Sequence, residues 1–160
     1  MSTYVIFFGG WRATPADMQA WKGSAKAQKS GIEFDAIPWP SGAASDAKSA
    51  VSAFKNKKTG RYKSVMDDLR AIQWANAQSS NVSKIYIVGH SSGCAIANAV
   101  DEDLTDHSDV VLVALDGFVP GPKQLARQNT QVWAAKTLPI PFLDGGISRN
   151  YPALRKAIGS

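Results

Sequence analysis

One cysteine in 160 residues, Cys94, excludes an intrachain disulfide. That suits a reducing compartment, and a cytoplasmic protein is the expectation. Histidine is almost as scarce, with only His90 and His107. No stretch approaches the ~20 apolar residues that span a membrane. Met1–Phe8 carries no basic residue ahead of its short apolar run, so no signal peptide is expected. Internal repeats, low-complexity segments, nucleic-acid motifs and metal or cofactor motifs are all missing. No membrane span, nucleic-acid partner, metal or cofactor is therefore expected.

Net charge is +5, unevenly placed: residues 1–84 hold 12 Lys/Arg against 6 Asp/Glu, and residues 85–160 hold 6 against 7. The densest basic run is Lys55, Lys57, Lys58, Arg61 and Lys63. Such a run can attract an anionic substrate or an acidic surface. A solvated loop leading into a helix is the commoner meaning, and no nucleic-acid motif accompanies the run. With 44% hydrophobic and 19% charged residues, the chain has the balance of a soluble domain large enough for a real core.

The most informative stretch is Lys84–Ala97. An apolar, β-branched run stops at Gly89-His90-Ser91-Ser92-Gly93, and a small-residue helical pattern follows at once. This is the Gly-x-Ser-x-Gly nucleophile elbow with a strand before it and a helix after it. Ser91 would stand at the tip of a sharp, strained turn. Gly89 and Gly93 leave space where a Cβ would meet the opposite arm. The following helix would aim its N–H groups and positive dipole end at whatever Ser91 binds.

The remainder alternates strand and helix. Tyr4–Phe8 is a continuous apolar run, as expected of a strand covered on both faces. It ends in Gly9-Gly10-Trp11. Thr14, Pro15 and Asp17 form a helix start of capping-box type. Met18, Trp21 and Ala25 mark one face of that helix, and Gly31 stops it. Ile32–Ile37 reads as a strand, Asp46–Phe54 as a short helix and Arg61 to about Ser79 as an amphipathic one. Beyond the elbow, Ile96, Ala99, Val100 and Leu104 predict one apolar helical face. That helix ends in Asp101, Glu102, Asp103 and Asp106, acids that oppose its dipole. Asp109–Leu115 is a further buried strand and Gln131–Ala135 a weaker one.

This alternation argues for a three-layer α/β fold with a mainly parallel five-stranded sheet. With right-handed crossovers and a central first strand, the predicted spatial order is 2-1-3-4-5. The Gly9–Trp11 turn and the elbow then meet at the switch point between strands 1 and 3. Trp11, Trp39 and Trp133 lie near that edge, where they would line a pocket or pack in the core.

The elbow on its strand, supported by the Gly9-Gly10 turn, resembles a small member of the α/β-hydrolase fold. It is most similar to compact bacterial serine hydrolases with a Gly-His-Ser-x-Gly elbow. The resemblance covers residues 4–135 as a strand–helix pattern, within one domain spanning 1–160. It implies an esterase, thioesterase or lipase that acts on a small acyl substrate through Ser91. It further implies an oxyanion hole built from the backbone N–H of Ser92 and that of Gly10 or Trp11. The acid of the triad falls to Asp116, which ends a securely read strand, or to Asp144 after the weaker one. In the family the basic histidine follows the acid, and here neither histidine does. Three explanations stay open: a domain incomplete at its C-terminus, an inactive relative that only binds ligand, or a lysine such as Lys136 as base. Impaired activity is the expectation in each. A flavodoxin-like nucleotide binder is a third class of reading, without a phosphate-loop signature to support it.

Overall fold

In the computed structural model of the chain, residues 3–28, 31–41, 43–44, 46–115 and 130–133 are described. The strands are β1 (Thr3–Phe8), β2 (Ile32–Ile37), β3 (Lys84–His90), β4 (Val110–Leu115) and β5 (Thr130–Trp133). The helices are α1 (Pro15–Gln28), α2 (Ala47–Phe54), α3 (Arg61–Ala77) and α4 (Gly93–Glu102). All five strands are parallel, in the order β2-β1-β3-β4-β5. This is the predicted order, and it places β1 and β3 side by side with Phe8 opposite Gly89.

Burial follows position in the sheet. Every residue of β4 is buried, as a covered interior strand requires. At the edge, β2 leaves Glu33 exposed and Asp35 half-buried. The Tyr4 hydroxyl donates to Asp35, and its pKa is raised by burial first and then by Asp35, Asp68 and Glu33.

Two apolar layers flank the sheet. On one face, Met18, Trp21 and Ala25 of α1 pack on Val5, Phe7, Phe34, Val88, Val113 and Leu115. Trp21 stacks on Phe7 with centroids 4.2 Å apart and meets Phe34 edge-on at 5.8 Å. On the other face, α2, α3 and α4 cover Ile6, Phe8, Ile85, Ile87 and Leu112. Each fully buried aliphatic or Phe side chain contributes about 1.5–3 kcal/mol.

The helix starts hold as read. Thr14 Oγ1 accepts from the Asp17 N–H at 3.1 Å, and Asp17 Oδ2 accepts from the Thr14 N–H at 2.9 Å. These reciprocal bonds satisfy two donors that a helix start otherwise leaves open. Asp46 caps α2 by accepting from the Ser49 N–H at 2.8 Å. Gly31 takes φ 76° after α1.

α4 departs from the one-faced pattern. Residues Gly93 to Asp101 are all buried, because Ala95, Ala97 and Ala99 are small enough to be covered by both α2 and the sheet. Its acidic end also has a cause. Asp103 accepts from the Tyr62 hydroxyl at 2.5 Å and from Lys55 Nζ at 2.8 Å. Glu102 accepts from Asn98 Nδ2, and Asp106 accepts from the Ser108 N–H. The Asp101 carbonyl lies 2.7 Å from His107 Nε2. Local partners thus offset the unfavourable dipole. Desolvation alone would raise the Asp103 pKa; the Lys55 and Tyr62 hydrogen bonds outweigh it, and the net shift is downward.

Candidate active site

Where β3 ends and α4 begins, the chain reverses within three residues. Ser91 takes φ 52°, a left-handed conformation that costs an L-residue about 1–2 kcal/mol. Only two non-glycine residues adopt positive φ among those described; the other is Arg12 at 68°. Ser91 is held there from three sides. Its N–H donates to the Leu115 carbonyl at 2.9 Å, its own carbonyl accepts from the Cys94 N–H at 3.1 Å, and the Gly10 loop lies against its side chain.

The glycines show how close the arms are. A Cβ on Gly89 would lie 2.4 Å from Cys94 Cα. One on Gly93 would lie 2.4 Å from the Phe8 carbonyl oxygen and 2.6 Å from that of Gly9. Backbone fills both positions, so only hydrogen fits. A Cβ on Gly10 would stand 2.9 Å from the His90 carbonyl and 3.1 Å from Ser91 Cβ. Two segments some eighty residues apart therefore touch at the serine, as the strand order requires.

The residues on either side of this contact, Gly10 and Ser92, also carry backbone donors. Among the described residues, neither the Gly10 N–H nor the Ser92 N–H has a hydrogen-bond partner, although both residues are buried. Buried, unclaimed N–H groups are rare. Ser92 is also the N-cap of α4, so the positive end of that helix faces this spot. The Trp11 N–H differs: it donates to Ser92 Oγ at 2.8 Å.

Ser91, Ser92, Gly10 and Trp11 are thus brought together. Asp116, Asp144, Lys136 and the side chain of Trp133 lie outside the described residues; Asp116 follows Leu115, the residue paired with His90. His90 is 3% exposed and by strand alternation shares the α1 face with Val88, its Nδ1 near Gly10. His107 lies just before β4, at the opposite edge of the sheet from Ser91. Trp39 belongs to the core at 9% exposure, and Trp11 packs partly against the same cluster.

Two features escaped the sequence. One is the Ser92 side chain, since the position after the serine carries no side-chain rule. The other is Arg12, whose guanidinium lies 4.3 Å over the Trp11 ring; arginine gives no signal for a left-handed residue. Beside β2, on the same edge of the sheet, a cavity of about 420 Å³ is lined by Pro38, Trp39, Phe54, Thr59 and Arg61.

Among the described residues no three His, Cys, Asp or Glu side chains are grouped to hold a metal ion. No helix among them is long and apolar enough to cross a membrane.

No family model and no curated protein matches the chain. Solved structures do match. An acetylxylan esterase aligns over 98% of this chain and 96% of its own, with a TM-score of 0.53 and 13% identity. An iodinated complex of acetyl xylan esterase gives 0.50 over the same shares. A cutinase-like protein from Cryptococcus sp. aligns over 99% of this chain and 96% of its own, at 0.51 and 12% identity. At such identities the likeness is one of fold: the chain shares with these structures an α/β fold, here built on a parallel sheet flanked by helices.

Proposed function

We propose that the chain is a serine hydrolase of the esterase type, with Ser91 as nucleophile toward a small acyl ester. The observation that carries this reading is the strained Ser91 at φ 52°, beside two buried residues, Gly10 and Ser92, whose N–H groups have no partner among the described residues. A structural turn has no need of either. Strain of this kind persists only where the surroundings hold it, and it clusters at active sites. Ser91 Oγ would attack the acyl carbonyl carbon. The carbonyl oxygen would gain negative charge and settle between the Gly10 and Ser92 N–H groups. Each such donor typically provides about 2.7–4 kcal/mol to the transition state. The C–O bond to the alcohol would break, with the Ser91 proton passing through solvent to the departing oxygen, and water would then hydrolyse the acyl-serine to a carboxylic acid and the free Ser91 hydroxyl.

Of the two N–H groups that sequence reading left open for the loop, Gly10 is the better donor, because Trp11 already spends its hydrogen on Ser92 Oγ. Asp116 remains the preferred acid, one residue past the Leu115 carbonyl that holds Ser91. Neither histidine is placed as a family base, so turnover should be slow. Binding and an oxyanion hole alone can leave ~10³–10⁴-fold catalysis over water. The esterase names of the structural neighbours favour an ester over an amide substrate.

A p-nitrophenyl ester series from acetyl to octanoyl tests the proposal. Turnover above the buffer rate that disappears in Ser91→Ala is expected. Equal rates for the wild type and Ser91→Ala would overturn it and leave a ligand-binding protein as the reading.

A further inference from the structure

The two proposed oxyanion donors sit on segments some eighty residues apart along the chain. Gly10 belongs to the loop after β1, and Ser92 to the cap of α4. Sheet pairing registers the strands only as far as Phe8 and Gly89. Past that point the Ser92 hydroxyl bridges the gap, accepting the Trp11 N–H at 2.8 Å. Ser92 is 7% exposed and Trp11 half-buried, so this bond is partly sheltered from competing water. It also fixes a loop whose next residue, Arg12, is held at φ 68°.

We infer that the Ser92 side chain is a positioning group: its hydroxyl clamps the Trp11 N–H and thereby holds the neighbouring Gly10 N–H opposite the Ser92 N–H. This rests on the serine-hydrolase reading and assigns the side chain a role separate from that of its backbone. An alternative donor for the oxyanion, the Trp11 N–H, is thereby taken out of use. The clamp acts on geometry and makes no contact with the acyl group. Its loss should therefore change the rate of the chemical step more than substrate binding.

The test uses the full chain with Ser92→Ala, Ser92→Thr and Ser92→Cys. Three quantities are read: kcat and KM for p-nitrophenyl acetate, amide hydrogen exchange at Trp11, and the unfolding midpoint. Because an ångström of misplacement costs up to 10²-fold, Ser92→Ala should lower kcat about 10- to 100-fold with KM within about 2-fold of wild type. Exchange at Trp11 should quicken by about 10-fold or more as its acceptor disappears. Ser92→Thr, which restores the hydroxyl, should bring both back to within about 3-fold. Ser92→Cys keeps the bulk but offers a weak acceptor, so it should fall between; it serves if the alanine variant unfolds.

Unchanged kcat in a folded Ser92→Ala chain would overturn the inference, as would unchanged exchange at Trp11. So would slow turnover in Ser92→Thr despite restored protection. A wild-type chain with no ester turnover would instead defeat the serine-hydrolase reading, and the exchange data would then decide the clamp alone.

Discussion

Gly93→Ala should damage stability and chemistry together. The added Cβ would lie 2.4 Å from the Phe8 carbonyl oxygen, 2.6 Å from that of Gly9 and 2.9 Å from the Gly9 carbonyl carbon. Ordinary contact begins near 3.4 Å, so α4 and the end of β1 must part by about 1 Å. No rotamer can relieve this, because all three neighbours are backbone. Overpacking of this kind costs about 1–3 kcal/mol, and the rigidity of both partners puts the cost at the upper end. For a domain of this size the melting temperature should fall by about 4–12 °C. Whichever element gives way, the Gly10 and Ser92 N–H groups separate, and a 1 Å error between them costs about 10²-fold in rate. Gly23→Ala is the internal control. Nothing lies within 4 Å of its Cβ, it sits inside α1, and its gain should be about 0.5–1 kcal/mol. Thermal melts of both variants, with ester turnover for Gly93→Ala, check this. A Gly93→Ala chain within about 0.5 kcal/mol of wild type would refute the steric reasoning.

Three further outcomes follow from the same structure. Ser91→Gly and Ser91→Ala both remove the hydroxyl, but only glycine relieves φ 52°, so denaturant melts should find Ser91→Gly more stable by about 1 kcal/mol. Trp21 is 3% exposed, and its indole N–H has no partner among the described residues. Trp21→Ala should therefore cost about 3–5 kcal/mol, whereas Trp21→Phe sheds an unsatisfied donor and should cost under about 2 kcal/mol by the same melts. Asp103 has a folded-state pKa below its ordinary 3.8. Its contribution is then complete above 3.8 and is lost as the pH falls through the lower folded-state value. Asp103→Asn should flatten the stability profile in that acid window and leave its shape near neutrality unchanged, as urea melts across pH would show.

The fold was legible because its signals are local and repeated. The apolar runs Tyr4–Phe8 and Ile85–Val88, the Thr14/Asp17 caps, right-handed crossovers and a central first strand were enough to order the sheet. The tight turn at Gly89–Gly93 was legible because both positions have one steric reason to be glycine. The Ser92 hydroxyl was not, since its partner, the Trp11 N–H, is 81 residues away and a backbone group carries no residue identity. For the same reason the acceptor of the Trp11 N–H could not be read along the chain. The acidic end of α4 defied explanation in one dimension because Lys55 and Tyr62 reach Asp103 from other elements. The all-round burial of α4 likewise depends on α2 lying across it.

Covalent labelling tests most directly whether Ser91 is a nucleophile. A fluorophosphonate probe would be incubated with the folded chain, and the adduct mapped by peptide mass. The account predicts one adduct, on Ser91, slow in onset and missing from Ser91→Ala. A folded chain that takes no adduct, or takes it at a serine other than Ser91, would contradict it.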